Sequence, residues 1–214
     1  MSSPPSVGVP LPVQVDDGDP RPPIQADLDR YLAAFPGQGP VVATLVTSEG
    51  TIHCDLLPER APLAVSNFIG LSTGRKVWRD PKSGEIKRGV PFYDGLTFHR
   101  VIPEFMIQGG DPLARGAGGP GYQFVNEIVQ TATMGPGALA MANAGRDTNG
   151  SQFFIMEKTA RPDLVTQHTI FGQCHELDIV ERIARVPRGT DDKPTRPVTI
   201  EHVSFDRSTD PWRH

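Results

Sequence analysis

The chain has 214 residues, 37% of them apolar, and a net charge of −4, which suits one well-buried core and does not require two domains. Five Asp against two Arg in the first 38 residues supply most of that charge, so the remainder has no basic face for nucleic acid. No run of about 18 apolar residues suits a membrane span, no basic-then-apolar leader opens the chain, and the six histidines lack zinc-ligand spacing. The expectation is a soluble, cytoplasmic, monomeric chain without a metal or other cofactor.

From Met1 to Gln25 the sequence is Pro, Ser, Val and Asp without periodicity, and nine of the 22 prolines fall in the first 40 residues, a composition that favours extended, polyproline-like chain. Asp27 to Phe35 predicts a short helix with Leu28, Tyr31 and Leu32 on one stripe, stopped by Pro36-Gly37. Residues 1–38 are therefore read as a linker-like extension with one helical turn packed on the domain. Residues 1–25 have too few apolar side chains to pack, so their loss is expected to leave melting temperature and activity unchanged. The domain proper is placed at 39–207 and a tail at 208–214.

Val41–Thr47 and Thr51–Leu57 are β-rich runs joined through Ser48-Glu49-Gly50, a hairpin pattern. Pro62 suits a first helical position, with Val65, Phe68 and Ile69 as an apolar stripe and Gly74 as the stop. Residues 75–95 form a polar insertion, read as a solvated loop around Pro81-Lys82-Ser83-Gly84. The glycine-dense stretch 109–121 lacks the following helix and the Lys-Ser/Thr pair of a phosphate cradle and is read as a surface loop. Ala138–Ala142, Gln152–Met156, Thr169–Gln173 and Val198–Phe205 predict further strands. Leu177–Val186 predicts a second domain helix, with Glu181 and Arg185 as an i,i+4 pair before Pro187. Cys54 and Cys174 lie in strand-like apolar runs 120 positions apart; buried free thiols are the default reading over a disulfide. Many short strands and two domain helices indicate a mainly β fold, a barrel or a sandwich.

Two stretches carry more than fold. Phe98 to Asp111 places one cation, Arg100, in an otherwise apolar run; read as two strands hinged at Pro103, it puts Arg100, Met106 and Gln108 in position to line one wall. Gly137 to Phe154 is a small-residue strand, an Asn- and Gly-rich loop and a strand opening Gln-Phe-Phe. Together, Phe98-His99-Arg100-Val101-Ile102-Pro103, Phe105-Met106-Ile107-Gln108-Gly109-Gly110-Asp111, Met141-Ala142-Asn143-Ala144-Gly145 and Asn149-Gly150-Ser151-Gln152-Phe153-Phe154 closely resemble the cyclophilin family of peptidyl-prolyl cis/trans isomerases. The resemblance runs from about Val41 to Asp206.

It implies a closed eight-stranded antiparallel barrel with a helix over each open end and the substrate groove outside. It implies an enzyme that isomerises Xaa-Pro bonds in folding proteins, with proline-containing peptides as partners and no cofactor. By position, Arg100 matches the catalytic arginine; Phe105, Met106, Phe154 and Leu164 match the proline pocket, with His168 beside it; Gln108, Ala142, Asn143 and Gln152 match the groups that hold the peptide. A prolyl amide needs no covalent catalyst, because its barrier of roughly 18 to 20 kcal/mol is lost resonance. A donor aimed at the prolyl nitrogen lowers it by binding the twisted amide best. Ser151 and His99 need no catalytic role. The alternative, a proline-binding module or chaperone scaffold without turnover, has no need of Arg100. One departure concerns cyclosporin: relatives that bind it tightly carry Trp just before the position of Leu164, where this chain has Asp163. Weakened affinity is expected.

Overall fold

The opening hairpin forms as its sequence predicts: β1 (Val42–Thr47) and β2 (Gly50–Leu56) pair from Val42 opposite Asp55 to Thr47 opposite Gly50. This and all that follows comes from a computed structural model that describes residues 15–207; the readings of 1–14 and of the 208–214 tail lie outside the described residues. Eight further strands follow: β3 (Trp78–Arg79), β4 (Ile86–Lys87), β5 (Arg100–Ile102), β6 (Met106–Gly109), β7 (Ala138–Met141), β8 (Phe153–Met156), β9 (Ile170–Cys174) and β10 (Ile200–Asp206). Eight of the ten make one antiparallel sheet in the order β10-β1-β2-β9-β7-β8-β6-β5.

That sheet is an open half-barrel curling through 214°, not the closed barrel expected. β5 has only three residues, so its ladder stops short of β10, and Pro197 offers no N–H where the chain approaches β10. The two edges meet just before β5 and at the start of β10, through a Thr97–Thr199 bridge and the hydrogen bonds Phe98 N–H to Val198 O (2.9 Å) and Ile200 N–H to Leu96 O (2.7 Å).

Three helices complete the fold. α2 (Pro62–Ser72) has Pro at its start and is buried on every side from Ala64 to Ser72, so the stripe read from sequence understates it: Ala64, Val65, Phe68, Ile69 and Leu71 all join the main core. Phe68 lies 5.4 to 5.5 Å from the rings of Phe153 and Phe171. α3 (Leu177–Ala184) turns Val180, Ile183 and Ala184 inward, and Glu181 pairs with Arg185 at 3.3 Å as predicted. α1 (Gln25–Leu32) packs its fully buried Tyr31 on α2 at Gly70, where a Cβ would come within 2.6 Å of the Tyr31 ring.

Two readings need correction beside the barrel. Residues 75–95 are not a solvated loop throughout: β3 and β4 form a hairpin, Lys76 and Trp78 are buried, and the indole N–H donates to Val90 O at 2.9 Å. The cysteines are not free thiols. Cys54 on β2 and Cys174 on β9 are direct cross-strand partners and form a disulfide; a separation of 120 positions carries no information once the topology makes their strands neighbours. Replacing both by Ala is expected to cost about 2 to 4 kcal/mol, because the bond closes a long loop in the unfolded chain. Urea unfolding would read this as a lower midpoint, and an unmoved midpoint would show that the bond adds no stability.

The start of the described chain also departs from the linker reading. Asp16 donates its N–H to Arg75 O at 2.7 Å, and its carboxylate is buried with Asp27 and Lys76. Arg21 closes on Asp27 through two bonds of 2.7 Å, Arg30 reaches both Asp16 and Asp27, and Lys76 Nζ lies 3.6 Å from Asp27. The extension is clasped to the domain by buried charge as well as by the apolar side chains of α1, Leu28 and Tyr31.

Candidate active site

The register of β5, β6 and β8 builds one wall. Arg100 stands opposite Gln108, and Gln108 opposite Phe154, so side chains from three strands project to the same side. Ile107, next to Gln108, points the other way into the main core, while Met106 joins a second apolar cluster on the outer face. That cluster holds Met106, Phe154, Val165 and Ile170 as buried members, with Phe105, Ala142 and Leu164 packed against it. His168 meets Phe154 edge-on, ring centroids 5.2 Å apart, and its Nδ1 lies 3.0 Å from Met141 O. Burial lowers the His168 pKa, opposed by that carbonyl, so the ring sits neutral beside the pocket at pH 7.

A polar line runs along the pocket's edge. Arg100 Nη1 approaches Gln108 Oε1 at 3.4 Å, Gln108 Nε2 donates to Gln152 Oε1 at 3.0 Å, and Gln152 Nε2 donates to Gly118 O at 2.9 Å. Ala142 N–H donates to Gln152 O (2.9 Å), and Asn143 is anchored by its side-chain bond to Gln167 O (2.9 Å). Beyond Gln152 opens a cavity of about 640 Å³ that shares Gln108, Ala142, Asn143 and Gln152 with this edge and continues to Tyr122 and Arg79.

Asp111, which the sequence reading left without a task, fixes the glycine loop on which that line ends. Its carboxylate is buried and accepts the backbone N–H groups of Leu113 (2.7 Å), Arg115 (3.0 Å), Gly116 (2.6 Å) and Ala117 (3.1 Å). Burial raises its pKa, but these donors outweigh burial and leave it below the usual carboxylate range. Gly118 packs so closely that a Cβ would overlap Asp111 Oδ1. The sequence signal is the small-residue run Gly116-Ala117-Gly118-Gly119, whose backbone can close around a carboxylate five residues before it.

The wall, pocket and polar edge coincide with the residues matched by position. The family profile described as cyclophilin type peptidyl-prolyl cis-trans isomerase/CLD matches residues 42–205. The chain belongs to the cyclophilin family. Peptidyl-prolyl cis-trans isomerase B of Streptomyces anulatus is 48% identical over 168 residues, spanning 75% of this chain and 94% of that protein. Peptidyl-prolyl cis-trans isomerase A of Mycobacterium tuberculosis is 47% identical over 168 residues, 76% of this chain and 91% of its own. Among solved structures, a cyclophilin type peptidyl-prolyl cis-trans isomerase of Cryptosporidium parvum, crystallised in the presence of the dipeptide Ala-Pro, superposes with a TM-score of 0.66 at 29% identity, covering 78% of this chain and 99% of that one.

In this cyclophilin, Arg100, Phe105, Met106, Gln108, Ala142, Gln152, Phe154, Leu164 and His168 come together as a single outer wall, and Asn143 lines the adjoining cavity. Leu164 lies in a 3-10 turn, Pro162–Leu164, and His168 N–H returns to its carbonyl at 3.1 Å, so the four-residue spacing places both at one pocket. On the rim just before Leu164, Asp163 is held by Arg161 through bonds of 2.8 and 2.6 Å, and the Arg161 guanidinium lies 5.0 Å from the Phe105 ring centre. The sequence reading missed Arg79, brought to the cavity by the β3–β4 hairpin, because the insertion reads as polar loop.

Proposed function

We propose that this cyclophilin accelerates cis/trans isomerisation of Xaa-Pro bonds in peptides and folding proteins, with Arg100 as the donor to the prolyl nitrogen. The observation that carries this reading is the register placing the Arg100 fork on the same wall as the Met106–Phe154 pocket, with Gln108 between them. The pocket desolvates the pyrrolidine ring; Gln152 and the main chain at Ala142–Asn143 hold the peptide; Arg100, always charged, presents a rigid set of N–H donors to the amide as it loses conjugation. The step breaks no covalent bond, so it uses no nucleophile, base or cofactor. Exchange spectroscopy on a short Xaa-Pro peptide is the test. Catalytic amounts of the protein should broaden and exchange the cis and trans resonances. Saturable binding without faster exchange would favour a proline-binding module instead.

The rim adds a second expectation. A Trp at Asp163 would supply an indole N–H and an aromatic face toward cyclosporin; the ion pair present there supplies neither. A hydrogen bond is worth about 0.5 to 1.5 kcal/mol and an aromatic contact about as much again, so affinity should be roughly 5- to 150-fold weaker than in Trp-bearing relatives. Asp163→Trp should recover part of it in a calorimetric titration. Tight binding by the unmodified chain, equal to those relatives in the same assay, would refute the reading of this rim.

A further inference from the structure

The backbone at Thr190–Asp192 follows a path that L residues avoid. Asp191 and Asp192 have φ of 60° and 57°, two consecutive left-handed positions with no glycine. The surrounding hairpin enforces them: Gly189 N–H donates to Lys193 O (2.8 Å), Arg188 bridges Pro194, Thr195 N–H donates to Pro187 O (2.8 Å), and Lys193 Nζ reaches Ala114 O at 3.3 Å. Glycine would take either position without strain, so what Asp adds is its carboxylate. At 192 that carboxylate stands between two arginines, with Oδ1 3.1 Å from Arg188 Nε and Oδ2 4.0 Å from Arg100 Nε.

We propose that Asp192 is a positioning residue for Arg100. The inference rests on the reading of Arg100 as the transition-state donor. Arg100 is 43% exposed, and a long side chain so exposed has many rotamers unless something selects among them. Here two edges of its guanidinium are engaged: Nε faces Asp192, and Nη1 faces Gln108 Oε1. These two partners narrow the rotamers open to the fork before substrate arrives. Preorganisation of this kind appears in kcat, because a donor already in place need not be ordered during the reaction. Arg188 holds Asp192 from the far side, so the strained turn, Asp192 and Arg100 form one chain of support.

Asp192→Asn separates charge from shape, since Asn also tolerates the left-handed region and keeps an acceptor for Arg188. By peptide exchange spectroscopy it should lower kcat about 2- to 5-fold with KM unchanged, the scale of a partly exposed ion pair. Asp192→Gly should lower kcat as much without lowering the melting temperature, which a merely structural residue would not do. In an Arg100→Ala background, Asp192→Asn should change nothing further. Unchanged kcat for Asp192→Asn overturns the proposal, and so does an equal loss in both backgrounds, which would mean action through some other group. Wild-type turnover by Arg100→Ala overturns the parent reading as well, and that single variant shows it before the cycle is closed.

Discussion

Arg100→Ala is expected to lower turnover of an Xaa-Pro peptide by about 10² to 10³ while leaving KM and the melting temperature nearly unchanged. The expectation follows from where the side chain sits. Arg100 belongs to β5, but its head lies in the groove, 43% exposed and outside both apolar clusters, so its removal opens no cavity in the core. What it removes is a charged donor beside an apolar pocket that bound peptide shields from water, a contribution of about 3 to 4 kcal/mol to the twisted state. The planar cis and trans forms gain much less from that donor, and the loss therefore falls on kcat. Arg100→Lys retains the charge but not the rigid fork, and should recover only part of the rate. Exchange spectroscopy at saturating peptide measures this directly; equal rates for the wild type and Arg100→Ala would remove Arg100 from the mechanism and leave the pocket as a binding site.

The groove was legible because its parts are local. Arg100, Met106 and Gln108 lie on consecutive antiparallel strands, so alternation from Arg100 to Gln108 already says which share a face. Leu164 and His168 are one turn apart and reach the same pocket for the same reason. Features that depend on which distant strands become neighbours were not legible. Cys54 and Cys174 read as two separate buried thiols until β2 and β9 are known to be adjacent. Closure of the barrel was expected from the family resemblance, since the strand pattern itself allows a barrel or a sandwich; the edges meet only through the Thr97–Thr199 bridge and its flanking bonds, beside a β5 of three residues. The left-handed pair Asp191-Asp192 looks like any polar turn, since Asp is compatible with several turn types. Composition misled most at the start of the chain, where proline content and scarce apolar side chains were taken to mean that the segment does not pack.

That last error leads to the second large effect. Removing residues 1–24 should lower the melting temperature by roughly 6 to 20 °C, from about 3 to 5 kcal/mol for breaking a buried ion network and about 2 to 4 °C per kcal/mol in a chain of this size. The deletion takes away Asp16 and Arg21 and strands what they neutralised. Lys76 is 1% exposed, and burial pushes its ammonium down to about 8 even with Asp27 and Asp16 acting against the shift. Asp27 is 2% exposed; burial raises its pKa, yet the Arg21 hydrogen bonds and the Ile24 N–H hold it down at about 2. Lys76→Met distinguishes this account from a general loss of packing. In the full chain Lys76→Met removes the cation shared by two buried carboxylates and should destabilise. In the truncated chain Asp16 is gone together with Arg21, Asp27 keeps Arg30 as its cation, and an apolar side chain of similar length avoids burying an ammonium with one carboxylate fewer to balance it, so Lys76→Met should stabilise or cost far less. Calorimetry of the four proteins gives the sign of that difference; the same penalty in both backgrounds would show that the clasp is not electrostatic.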